Sequence, residues 1–344
     1  MKLKIVVITV FMLLLANVTG CAGKNAVQTN TDKKIEKIVI AEPGTGESWL
    51  PVYLADKLGY FDEQGLNVDY SDFGGGHGPL VIASLIAGDS QFALTGYDQV
   101  LKTYGQGKST KMIMATSDKN PWSLFVGKDI KSFADLKGKK ISGGMEGSSP
   151  RAFVRACLKY GGLDPEKDVE YVTLPSSGSL IGALEKGEVA AGIGSGITKI
   201  QLLNLGYKPL VDLTDPQQHQ KVLNSKDFPL YVVQVTDDFI KNHPDTVQKF
   251  SNAVVKAMHW ENTHSPEEIA EKISPFFPNA NKDDLISDIK DVQLTLSKDG
   301  YFSQEGHDTV TKSALDVGMI KEPVAMANVV DDSFLKKAHD SYAK

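Results

Sequence analysis

Pro79-Leu-Val-Ile-Ala-Ser-Leu-Ile-Ala-Gly-Asp-Ser-Gln-Phe-Ala-Leu-Thr95 is echoed ninety-nine positions later by Gly178-Ser-Leu-Ile-Gly-Ala-Leu-Glu-Lys-Gly-Glu-Val-Ala-Ala-Gly-Ile-Gly194. Each stretch reads as a helix of small and apolar residues, a glycine stop, an acidic turn residue and a short strand. Gly88 and Gly187 fall just past the helix end, where left-handed backbone is wanted, and Asp89 and Glu188 open the turn into the strand. Helix-strand units have a general likeness to one another. In a chain of 344 residues, above the ~250–300 at which single cores divide, the echo predicts two lobes built alike.

Outward from these two stretches, strand-like and helix-like runs alternate from residue 36 to about 235, which argues for parallel sheets covered by helices. After Asp237 the pattern turns helical, with apolar residues three and four apart in 244–260, 266–273 and 283–296. These helices are expected to pack onto an existing lobe. The fold class is therefore α/β with additional C-terminal helices.

The N-terminus carries a different message. Lys2 and Lys4 precede an apolar run, residues 5–16, too short to span a bilayer comfortably but suited to the core of an export signal. It ends in Val18-Thr-Gly-Cys21, similar to the motif at which bacterial lipoproteins are cleaved and acylated. Residues 1–20 are thus expected to be a signal peptide, Cys21 a lipidated (palmitate-bearing) anchor, and 21–35 a flexible tether. No later stretch has the ~18 apolar residues of a membrane span. Cys157, the second of two cysteines, is expected as a small core residue, so no disulfide forms within the chain.

A net charge of −6 without a basic cluster argues against nucleic acid as a partner. Gly107-Lys-Ser-Thr110 approaches a phosphate-binding loop, but the earlier glycine that loop needs is Lys102. No Gly-x-Ser-x-Gly occurs, and His259 and His264 are five apart rather than the four that put two metal ligands on one helix face. No cofactor and no metal is expected.

In open α/β sheets ligands gather at the carboxyl ends of strands. The loops there, residues 42–49, 74–78, 95–98, 143–149 and 194–197, are rich in Gly, Ser or Thr. Backbone N–H groups at a helix start attract anions, and glycine lets a ligand approach the main chain.

These residues resemble a known family. Leu50-Pro-Val-Tyr-Leu-Ala-Asp-Lys-Leu-Gly-Tyr-Phe-Asp-Glu-Gln-Gly-Leu-Asn-Val68, residues 83–93, Phe133-Ala-Asp-Leu-Lys-Gly-Lys-Lys140, Gly147-Ser-Ser149 and Asp238-Phe-Ile-Lys-Asn-His-Pro244 are similar, in order, to the nitrate/sulfonate/taurine and thiamine-precursor binding proteins of ABC importers. The resemblance implies a type II periplasmic-binding-protein fold: lobe I from 36–121 and 230–344, lobe II from 122–229. Two crossover strands, near 122–126 and 230–235, would form the hinge. It further implies an extracytoplasmic monomer, held at the membrane by lipid, that closes on a small polar or anionic organic solute, sulfonate- or taurine-like. The solute would be delivered to a permease driven by an ATPase. A thiamine-precursor pyrimidine or an aromatic acid is the alternative ligand.

Carried over by position, the candidate contacts are Ser48, Trp49, His77, Thr95, Gly96, Tyr97, Glu146, Ser148, Ser149, Arg151 and Ser195. Trp49 could face the ligand or pack between lobes, and His77 could contact it or sit on a turn. Pro150 suits the first turn of a helix whose start, at Ser148 and Ser149, could cap an anion. Arg151 could add a bidentate contact or lie on the surface. Glu146 points instead to a ligand bearing an amine. A fungal pyrimidine synthase of the same fold is an enzyme, but it depends on a cysteine-rich loop that this chain lacks. A sensing or adhesive lipoprotein is the third class.

Overall fold

The computed structural model describes residues 35–74, 78–174 and 178–342. The expected signal peptide, the acylated Cys21, nearly all of the tether and His77 lie outside the described residues. The body from Ile35 onward forms one compact unit.

Among the described residues, ten strands form two five-stranded sheets. The first contains β1 (Glu36–Glu42), β2 (Leu66–Asp72), β3 (Phe92–Gly96) and β4 (Thr110–Ala115). The second contains β5 (Ser123–Val126), β6 (Lys139–Ser142), β7 (Val169–Val172), β8 (Ala191–Gly194) and β9 (Lys208–Asp212), after which β10 (Tyr231–Thr236) returns to the first. The strand orders are β2-β1-β3-β10-β4 and β7-β6-β8-β5-β9. In each sheet the second, first and third strands of the local run are parallel. A visiting strand, β10 or β5, then inserts antiparallel between the third and the fourth. The two visitors fall on the segments where the resemblance placed its crossovers.

The echo in the sequence is an echo in space. Gly78–Ala87 leads into β3, and Ser179–Glu185 leads into β8, the third strand of each local run. Gly88 and Gly187 have φ of 83° and 68°. The N–H of Asp89 donates to Ser84 O at 3.1 Å, and that of Glu188 to Ala183 O at 2.9 Å. Ser84 and Ala183 are themselves ninety-nine apart, so one turn design stops both helices.

Apolar burial explains the rest. β3 is buried almost throughout, and β1 becomes buried toward its carboxyl end, as strands covered on both faces should be. Helix Pro244–Glu261 packs its buried face, including Phe250 and Val254, against Leu50–Lys57 and Ser333–Tyr342. Phe92 stacks on Phe250 with ring centroids 3.9 Å apart. Two C-terminal helices do more than cover the first sheet. Lys282–Val292 packs both on Pro266–Ile273 and on Gly196–Asn204, which follows β8. Gln304–Asp316 touches both Tyr97–Gly105 and Ser149–Tyr160. Among the described residues no helix is long and apolar enough to cross a membrane.

Candidate ligand cleft

Loops after strands of both sheets meet along one seam. From the first sheet come the short 3-10 turn Glu47–Trp49 and the start of helix Tyr97–Gly105. From the second come the starts of helices Ser149–Tyr160 and Gly196–Asn204. Entries to the visiting strands complete the seam with Trp122 and Tyr231. The Trp122 Nε1–H donates to Tyr231 Oη at 3.1 Å, and the Ser48 hydroxyl donates to the same oxygen. Trp49 meets the Tyr231 ring edge-on, centroids 4.8 Å apart. Burial pushes the Tyr231 phenol up to about 12, so it stays neutral at physiological pH.

Asp98 lies on the seam, 5% exposed. It lines a narrow cavity with Asn120, Trp122, Ser149, Phe153 and Phe228. The Ser149 hydroxyl, at the start of the helix that follows β6 of the second sheet, donates to it. Desolvation raises its carboxyl above the usual range, opposed by that bond and by donors around Gln99. Its Oδ1 has no partner. A Cβ at residue 96 would come within 2.6 Å of that oxygen, so only glycine there lets the carboxylate fold back over the chain.

A second acidic group closes the other end of the seam. Burial raises the carboxyls of Glu47 and Asp288 together, and the two carboxyls hydrogen-bond to each other. They press on Gly196, whose φ is 55° and whose missing Cβ would meet Glu47 Oε2 at 2.7 Å. Three residues on, Lys199 is 1% exposed and binds Asp212 Oδ1 at 2.9 Å, Asp291 Oδ2 at 2.8 Å and Thr214 Oγ1 at 2.9 Å.

The expected contacts divide in space. Ser48, Trp49 and Ser149 line the seam. Ser195 stands just before Gly196–Asn204 and makes no side-chain cap bond. Thr95 is buried with an unpartnered hydroxyl, and Gly96 passes beneath Asp98. Tyr97 turns away: its Oη lies 2.6 Å from His307 Nδ1 of a C-terminal helix. Ser148 caps the helix, its hydroxyl accepting from the Arg151 N–H at 3.4 Å and donating to Met145 O at 2.6 Å. Arg151 is spent on its own loop, donating to Gly143 O and Gly144 O, pairing with Glu146 at 3.3 Å and stacking 3.5 Å over the Tyr171 ring. Glu146 is held by Arg151 and by Arg155 at 3.2 Å.

Sequence reasoning passed over Glu47, Asp98, Tyr231, Lys199, Asp288 and Asp291. Asp98 and Glu47 sit beside residues it selected, inside the same loops. Asp284, Asp288 and Asp291 recur at helical spacing of four and three, a polar stripe beside an apolar face that reads as a solvated surface until another helix covers it.

The chain has relatives of known description. A putative binding protein, YtlA of Bacillus subtilis, is 25% identical over 75% of this chain and 76% of its own length. The 4-amino-5-hydroxymethyl-2-methylpyrimidine phosphate synthase THI13 of Saccharomyces cerevisiae is 27% identical over 60% of this chain and 62% of its own. Among solved structures, the putative periplasmic sulfonate-binding protein SsuA of Methylobacillus flagellatus superposes with a TM-score of 0.67 at 17% identity. That match covers 90% of this chain and 96% of the other, a likeness of fold. The sequence profile described as NMT1/THI5 like matches residues 47–269, well over half of the chain. The chain, with its two like-ordered sheets, belongs to the NMT1/THI5-like family.

Proposed function

We propose that this protein is the extracytoplasmic solute-binding component of an ABC importer, which closes its two lobes on a small polar organic solute and presents it to a permease and its ATPase. The observation that carries the reading is the seam itself: loops from two sheets of the same order, joined through two visiting strands, converge on buried polar groups. The names of YtlA and SsuA favour binding over catalysis. So does Cys157, fully buried with its thiol pushed up by desolvation, which makes it a poor nucleophile. An anionic end of the solute, as in a sulfonate or taurine, would sit at the start of helix Ser149–Tyr160, where the helix dipole favours negative charge.

The second ligand reading, a thiamine-precursor pyrimidine or an aromatic acid, draws on the aromatic walls Trp122, Phe153 and Phe228 and on the kinship with the yeast synthase. In this reading of the whole protein, Cys21 is the acylated N-terminus that tethers the monomeric body to the outer face of the cell membrane. A thermal-shift panel of sulfonates, taurine, nitrate, pyrimidines and aromatic acids on the full chain tests it. A hit should also shrink the radius of gyration in solution scattering. Binding with an unchanged radius would show that the lobes do not close.

A further inference from the structure

We propose that Asp98 is the specificity residue of the cleft and that the solute presents to it a positively charged or N–H-bearing nitrogen. The proposal rests on the solute-binding reading above.

A carboxyl that is 5% exposed and has an oxygen without a partner is costly to bury, because it has lost water and gained too little in return. Unlike Glu261, which shares these features, Asp98 lines a cavity. Among the described residues, the groups that hydrogen-bond to Asp98 are a hydroxyl and amides. Arg151, the nearest guanidinium along the seam loops, is engaged by two carbonyls and by Glu146. Lys199 is neutralised by Asp212 and Asp291 together. The other buried acids of the seam, Glu47 and Asp288, add negative rather than positive charge. The lobe interface therefore carries an excess of acids, and Asp98 is the one of them that lines the cavity.

The walls suit the same ligand. Trp122, Phe153 and Phe228 line the cavity with aromatic surface, which attracts a cationic nitrogen through the ring quadrupole and repels a bare anion. The Ser149 hydroxyl reaches Asp98 from the opposite lobe, so a nitrogen held by Asp98 is gripped when the lobes are shut. Gly96 completes the device, since any side chain there would displace Oδ1. An N–H donor at hydrogen-bond distance would satisfy the Asp98 oxygen that has no partner.

Two pairs of solutes matched in size separate nitrogen from oxygen at one position: taurine against isethionate, and 4-amino-5-hydroxymethyl-2-methylpyrimidine against its 4-oxo counterpart. Calorimetry on the full chain should show the nitrogen-bearing member of a pair binding about tenfold or more tightly, as a charge-assisted hydrogen bond is worth ~1.5–3 kcal/mol. Asp98→Asn should bring the two members of that pair within about threefold while leaving the unfolding midpoint at or above that of the unchanged chain. A merely structural carboxyl would lower the midpoint and leave the preference intact. Isethionate or the oxo compound binding as tightly as its partner overturns the assignment and leaves the solute-binding reading standing. A preference that survives Asp98→Asn also overturns it. No binding by any of the four overturns the assignment, while a hit elsewhere in the wider panel keeps the solute-binding reading.

Discussion

Lys199 Nζ, buried in the second lobe, lies 2.8 Å from Oδ2 of Asp291 on a C-terminal helix that packs with the first. Asp288 and Asp284 stand on the same helix. Asp288 pairs with Glu47 beside Gly196, and Asp284 accepts from Asn204 Nδ2 at 3.1 Å. Three acids at successive helical turns thus face one helix of the opposite lobe. Removing a partner from a buried pair typically costs 3–5 kcal/mol, because a charge is left without compensation. Lys199→Met, which strands two carboxylates, should lower stability by about that much. Asp291→Asn should cost less, since Asp212 still neutralises the lysine. Urea unfolding of both variants is the check, and midpoints equal to the unchanged chain would reduce the pair to the worth of a surface contact.

Gly196→Ala tests the close approach of the lobes. The position has φ of 55°, and an alanine Cβ would sit 2.7 Å from Glu47 Oε2. The backbone alone should cost about 1–2 kcal/mol. The added methyl should also hold the lobes apart, so the radius of gyration in solution scattering should rise. A variant as compact as the parent would place the lobe contact elsewhere.

Glu261 sets a pH dependence. Burial pushes its carboxyl up to about 8, and its Oε2 has no partner. The folded state therefore holds a proton that the unfolded chain gives up near 4.5. Stability from this group is complete at low pH and is lost as pH rises from ~4.5 through about 8. Glu42, raised by burial to about 7, adds the same slope over a narrower window. Glu261→Gln should be more stable than the unchanged chain at pH 8.5 by on the order of a few kcal/mol, with the gap closing toward pH 5. Thermal unfolding across that range decides it, and a gap independent of pH would mean the effect is packing rather than protonation.

Ser148→Ala should destabilise the protein by about 1 kcal/mol, since the hydroxyl caps helix Ser149–Tyr160. Ser149→Ala should leave stability nearer the parent and weaken solute binding instead, because its hydroxyl reaches Asp98 across the seam. Chemical denaturation and calorimetry on the two single variants separate these roles. The opposite assignment of effects would reverse them.

Cys21→Ala should abolish lipid attachment, leaving the chain either uncleaved or released from the membrane. Mass spectrometry of the N-terminal peptide reads this directly. A parent chain cleaved elsewhere and free of lipid would refute the anchor.

Local pattern alone determined the order of strands and helices, the two like halves and the turn design at Gly88 and Gly187. Each of these depends on neighbours within a few residues and on one face being apolar. The stops recur because a helix ending in left-handed backbone needs glycine wherever it occurs in the chain. Which loops open a helix was legible for the same reason. What each polar side chain does there was not. Arg151 and Ser148 have the residue types of an anion site, yet their donors are turned back onto the 143–148 loop and the helix start. Tyr97 is drawn away by His307, more than two hundred residues distant in sequence. Asp98, Glu47, Lys199 and the acidic stripe of Lys282–Val292 look like solvated charges until a second lobe covers them. Only the tertiary structure decides that covering, because the cost of a buried charge and the identity of its partner depend on burial and distance, and neither is written in the residues on either side.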